Sequence, residues 1–152
     1  MVFISATRLR IKSVFYLLPF MRANESSVKQ LNKTPGLLGG SELVDKNLTF
    51  WTITMWQGDA DMKAFRNSAP HRKAMQKLPL WCDEASYLHW TQEEAILPDW
   101  DTVYRKMIAE GKLSKVRNPS SNQNSGMYPE IKWTRFERKF IPLNSQAVFT
   151  QN

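Results

Sequence analysis

The chain has 152 residues, 42% of them hydrophobic, with a formal charge of +7 and a single cysteine. That length suits one domain with an ordinary core, and the lone Cys82 excludes an internal disulfide and a cysteine-rich zinc site. The charge is uneven: residues 1–111 carry 14 Lys and Arg against 12 Asp and Glu, whereas residues 112–152 carry 7 against 2.

No Lys/Arg run in the basic C-terminal part is dense enough for a nucleic-acid or lipid patch, so it reads as a solvated extension. Near the start, Arg8, Arg10 and Lys12 precede an apolar run from Val14 to Met21. This resembles a signal peptide in outline, but the run is short, contains Pro19 and lacks a small-x-small cleavage site. No segment approaches the ~18 apolar residues of a membrane span. With one cysteine and no such span, the expected setting is cytoplasmic.

Val2 to Ile11 alternates as a strand apolar on both faces, which implies cover on both. Ser13 caps a helical segment carrying Val14, Leu17, Leu18, Met21, Val28 and Leu31, with Pro19 expected to open a second piece. Thr34-Pro35-Gly36 ends it. Leu37–Val44 is a strand, Asp45-Lys46-Asn47 a hairpin turn, and Leu48–Trp56 a strand rich in β-branched and aromatic residues. After Gly58, the spacing of Met62, Phe65, Ala69, Met75 and Leu78 predicts a helix divided at Pro70 and stopped by Pro79. Ala85–Trp90 is a strand, and Pro98 opens a helix to Ala109 with Trp100, Val103, Tyr104 and Met107 on one side. Lys115–Pro129 has the composition of a linker, and Ile131–Ile141, with Trp133, Phe136 and Phe140, that of a detached strand or arm.

The order β-α-β-β-α-β is the ferredoxin-like split arrangement, an antiparallel α+β sheet with helices on one face. It occupies residues 1–111, followed by a basic linker and arm over 112–152. Phe50, Thr52 and Trp56 share one side of their strand, while Trp51, Ile53 and Met55 share the other. The second face needs a second layer, and the simplest supplier is another copy of the chain.

The residues that carry chemistry concentrate between Phe50 and Trp90, which holds four of six tryptophans, both histidines and the cysteine. Phe50-Trp-Thr-Ile-Thr-Met-Trp56, Ala64-Phe-Arg-x-Ser68, His71-Arg-x-Ala-Met75, Ala85-Ser and His89-Trp90 resemble an uncharacterised family of the dimeric α+β barrel superfamily, which includes antibiotic-biosynthesis-type monooxygenases. The Pro35-Gly36 junction and the Trp-x-x-x-x-Trp strand also resemble the spheroidene monooxygenase branch. The resemblance covers residues 2–110. It implies a homodimer with facing sheets and a pocket in each protomer between sheet and helices. Members oxygenate aromatic polyketides or isoprenoids, degrade haem, or bind it. Where the haem-degrading branch needs a tryptophan and an axial histidine, this chain has Phe65 and Met75, which argues against that chemistry but leaves haem on His71 open.

Within that frame His71, near a helix start, is a candidate proton shuttle or haem ligand; a capping or core-edge role is its plainer alternative. Arg66 and Arg72 are candidates to hold an enolate or other anion, or else line a solvated helix face. Trp51, Trp56, Phe65, Met75, Tyr87, His89 and Trp90 are candidate substrate contacts, with Tyr87 and His89 on one face of their strand. Cys82, beside Asp83 and Glu84, is disfavoured as a thiolate. Two histidines eighteen residues apart specify no metal triad, and no phosphate-binding glycine loop or nucleophile elbow is present. The expected function is therefore monooxygenase-like: binding of an apolar or aromatic small molecule, without a cofactor or with haem. A non-catalytic dimeric haem- or ligand-binding module is the alternative.

Overall fold

The computed structural model describes residues 1–131 and 134–143, so the expected role of Trp133 lies outside the described residues. Six antiparallel strands form one sheet in the order β5-β4-β1-β3-β2-β6. They are β1 (Val2–Ile11), β2 (Leu37–Asp45), β3 (Thr49–Trp56), β4 (Cys82–Gln92), β5 (Lys112–Leu113) and β6 (Thr134–Phe140). The helices are α1 (Val14–Lys33), α2 (Asp59–Asn67), α3 (His71–Trp81), α4 (Trp100–Glu110) and α5 (Ser121–Ser125). The central β4-β1-β3-β2 order is that of the ferredoxin-like arrangement.

Of three prolines expected to punctuate helices, Pro70 divides α2 from α3, while Pro19 and Pro79 interrupt nothing. Ser13 accepts from the backbone N–H of Phe15 and opens α1, which runs unbroken past Pro19. Pro19 lies in the second turn, where it costs one backbone bond without ending the helix. Pro79 sits in the last turn of α3, which continues to Trp81. Gly36 is needed where α1 turns into β2. Its φ is +84°, and a Cβ there would fall 2.4 Å from Asp61 Cγ.

Strand alternation divides the sheet into two faces. On one, Leu9 and Ile11 of β1 and Phe50 of β3 pack with Phe20 of α1 and Trp81 of α3. Along the same face Trp56 packs with Val28 and Leu31 of α1 and Met62 of α2. On the other face Val2, Ile4, Ala6, Leu43, Trp51, Ile53, Met55 and Leu88 pack against Val103 and Met107 of α4, with Trp100, Tyr104, Tyr128 and Ile131 alongside.

This second cluster corrects the expectation that another copy is the simplest supplier of the second layer. Every buried strand residue in it is at most 7% exposed in the single chain. The sheet is a filling between two helical layers, both belonging to the same chain.

The segment expected to be a linker is docked. Leu113 and Lys112 pair with Ser86 and Tyr87. Gln123 of α5 is buried: its side-chain carbonyl accepts from Ala85 N–H at 3.0 Å, and its amide donates to the carbonyls of Ala85 (3.1 Å) and Ser114 (2.9 Å). The arm is strand β6, added to the β2 edge with Arg138 opposite Glu42 and Phe140 opposite Gly40. Under α5 a buried ion pair joins Arg8 to Glu84 at 2.7 Å. Burial acts to raise the Glu84 pKa, but hydrogen bonds from Ser120 and Arg8 hold it below the usual carboxylate value.

Candidate active-site cavity

Between the sheet and helices α1–α3 lies a cavity of about 440 Å³. Register builds its floor. Ser5 of β1 lies opposite Thr54 of β3 on one side and His89 of β4 on the other. One step along, Thr7 lies opposite Thr52 and Tyr87, and Thr52 in turn lies opposite Glu42 of β2. Two polar rows therefore cross the sheet, one of them ending on a carboxylate. The walls are apolar, formed by Phe20, Val28 and Leu31 of α1, Met62 and Phe65 of α2, and Met75 and Leu78 of α3.

Of the residues singled out from the sequence, His71, Arg66, Phe65, Met75, Tyr87 and His89 line this cavity. Tyr87 and His89 share a face as expected, with ring centroids 5.4 Å apart. The other four do not line it. Trp51 is fully buried on the opposite face, where the odd positions of β3 point, and it packs edge-on against Tyr104 of α4. Trp90 also belongs to that face, beneath the Lys106 ammonium. Arg72 is exposed, because it follows His71 by one residue and so leaves the inward side of α3. Trp56 is on the cavity side but beneath the lining. It donates to Thr54 Oγ1 at 2.9 Å and supports Phe65, whose ring lies 5.6 Å away.

His71 completes that stack, with its imidazole 4.4 Å from the Phe65 ring and tilted by 30°. Gln30 of α1 fixes the helix start behind it, accepting from His71 N–H at 3.0 Å and donating to the Ser68 hydroxyl. Desolvation, reinforced by Arg66, lowers the His71 pKa to about 4, so its imidazole is neutral near pH 7. The same two causes lower His89. Cys82 is buried with its pKa pushed up to about 12, by burial and then by Asp83, which makes it the inert thiol expected.

Sequence reasoning missed the one carboxylate among the residues that line the cavity. Glu42 is 3% exposed, and both of its oxygens accept from the Asn24 amide, at 3.1 and 2.9 Å. Arg138 of β6 lies 3.6 Å away and also pairs with Glu25. Burial raises the Glu42 pKa, against the lowering effects of Asn24 and Arg138. A glutamate inside Leu37–Val44 has no local signal; its environment is set by a helix 18 residues earlier and a strand far later in the chain.

Haem does not fit the residues present. A ligating histidine ordinarily has its second ring nitrogen hydrogen-bonded to a carbonyl or carboxylate, but His71 Nδ1 is buried with no partner among the described residues. Arg66 is the one Lys or Arg among the lining residues, against two propionates, and Glu42 lies in the floor. Among the described residues no group of three His, Cys, Asp or Glu side chains is placed to hold a metal ion.

No protein-family model matches the chain, and no curated protein is similar to it in sequence. Solved structures do match in shape. A putative antibiotic biosynthesis monooxygenase from Nitrosomonas europaea superposes with a TM-score of 0.55 at 13% identity, covering 62% of this chain and 92% of that one. A point mutant of SnoaB, a cofactor-independent oxygenase from Streptomyces nogalater, gives 0.51 at 11% identity, covering 64% and 98%. A conserved protein from Methanosarcina mazei gives 0.54 at 10%, covering 61% and 94%. Nearly all of each neighbour is matched, and more than a third of this chain is additional. What is shared is the ferredoxin-like α+β fold.

Proposed function

We propose that the chain binds a flat, largely apolar aromatic molecule carrying a ketone or hydroxyl, and promotes its oxygenation by removing a proton and stabilising the resulting anion. The observation that carries this reading is the cavity itself: about 440 Å³, apolar in its walls, hydroxyl-lined in its floor and open to titratable groups at two ends. That size suits a three-ring molecule. In this reading Arg66, which lines the cavity, holds the enolate oxygen, and the neutral His71 donates a hydrogen bond to it without carrying charge. The likeness to a cofactor-independent oxygenase favours a reaction in which the substrate carbanion itself meets dioxygen. Anthrone is a suitable probe, since it takes up one dioxygen and leaves as anthraquinone and water.

The test is titration of the purified chain with anthrone, followed by tryptophan fluorescence, together with oxygen uptake. Saturable quenching and uptake above the buffer rate are expected. No binding would overturn the reading. Binding without uptake would favour a ligand-binding module instead, and a Soret band on adding hemin would overturn the argument against haem.

A further inference from the structure

We propose that Glu42 is the proton acceptor of the cavity, held ready by Asn24 and balanced by Arg138; this rests on the reading just given. Three observations converge on it. Glu42 lines the cavity while being 3% exposed, so a ligand rather than bulk water is its natural partner there. Its two oxygens are chelated by one amide, which fixes the carboxylate plane. It ends the row Tyr87–Thr7–Thr52–Glu42, so a ligand lying along the floor has hydroxyls beside the same carboxylate.

The groups facing Glu42 decide its strength. Asn24 and Glu25 come from α1, and Arg138 comes from β6. Burial, the larger effect, and Glu25 raise its pKa and make it a better base than an ordinary carboxylate, while Asn24 and Arg138 act in the opposite sense and favour its ionised form. His71, the acceptor named from sequence, is altered in the opposite sense: its lowered pKa makes it the weaker base.

The step breaks one carbon–hydrogen bond of the ligand. The proton goes to a carboxylate oxygen of Glu42, and the electron pair stays on the ligand, delocalised into its ketone as an enolate. Nothing is oxidised in this step, so it can be followed without oxygen.

The experiment is anaerobic exchange of the anthrone methylene hydrogens for deuterium in heavy water, read by mass spectrometry with the intact chain. Wild type is expected to accelerate exchange, and Glu42→Gln to slow it by about 100-fold while fluorescence quenching is retained. Asn24→Ala, which frees the carboxylate without removing it, is expected to slow it less. His71→Ala, which removes a hydrogen-bond donor to the enolate but not the acceptor of the proton, is expected to slow exchange less than Glu42→Gln. Absence of anthrone binding in wild type would overturn the cavity reading and this assignment with it. Binding with no accelerated exchange, or exchange that survives in Glu42→Gln but is lost in His71→Ala, would overturn the assignment of Glu42 alone. A folded Glu42→Gln is verified by its far-ultraviolet dichroism, and Glu42→Asp supplies a second variant whose partial exchange is expected.

Discussion

His71 gives the folded chain a pH dependence whose sign is fixed by its surroundings. Desolvation and Arg66 lower its pKa from the ordinary 6.5 to about 4. Above pH 6.5 the imidazole is neutral in the folded and unfolded chain alike, and its contribution to stability is complete. Between pH 6.5 and 4 the unfolded chain binds a proton that the folded chain refuses, so stability falls as the pH falls. At about 1.36 kcal/mol per pKa unit the loss is on the order of 3 kcal/mol. Glu42 has the opposite sign: its raised pKa means that its contribution declines as the pH rises through the folded value. His71→Phe should keep the stack on Phe65 while removing the titration. Urea midpoints measured from pH 7 to pH 4 should therefore fall further in wild type than in this variant, and parallel curves would contradict the buried, neutral histidine.

Among the elements, α5 is short, yet its Gln123 joins the C-terminal segment to β4 through three hydrogen bonds. Gln123→Ala leaves the Ala85 N–H buried without a partner, and a loss of about 2–3 kcal/mol in urea unfolding is expected. Faster proteolysis between residues 112 and 131 should accompany it; unchanged protection would mean that the segment is held elsewhere. Local pattern could not reveal this clip, because one glutamine in a Ser/Asn-rich stretch has the same composition as a solvated linker. The strands were far more legible. Alternation in β3 separates Trp51, Ile53 and Met55 from Thr52, Thr54 and Trp56, and the sheet keeps that division. The polar floor escaped notice for the same reason that β3 was readable: Ser5 and Thr7 look like ordinary alternation until register sets them beside Thr54 and Thr52. In α4 the stripe Trp100, Val103, Tyr104 and Met107 was visible, but which surface it covers depends on tertiary topology.

At the scale of the molecule, α4 changes the expectation for assembly. One of the two grounds for expecting a homodimer, beside the family resemblance, was an uncovered sheet face, and Val103 and Met107 close that face at 0% exposure. Light scattering distinguishes the 17.7 kDa of one chain from a dimer; if copies do pair, substitutions at Val103 or Met107 should leave the dimer's mass unchanged, because that face is already covered within one chain. None of the described helices is long and apolar enough to cross a membrane. With a helical layer on either side, the sheet becomes a partition. Trp51 and Thr52 are covalent neighbours yet serve separate compartments, one sealed and one receptive. Substitutions along β3 should therefore alternate in consequence, odd positions governing how well the chain folds and even positions lining the cavity governing what it accepts. Such a partition lets ligand preference drift over generations without disturbing the scaffold.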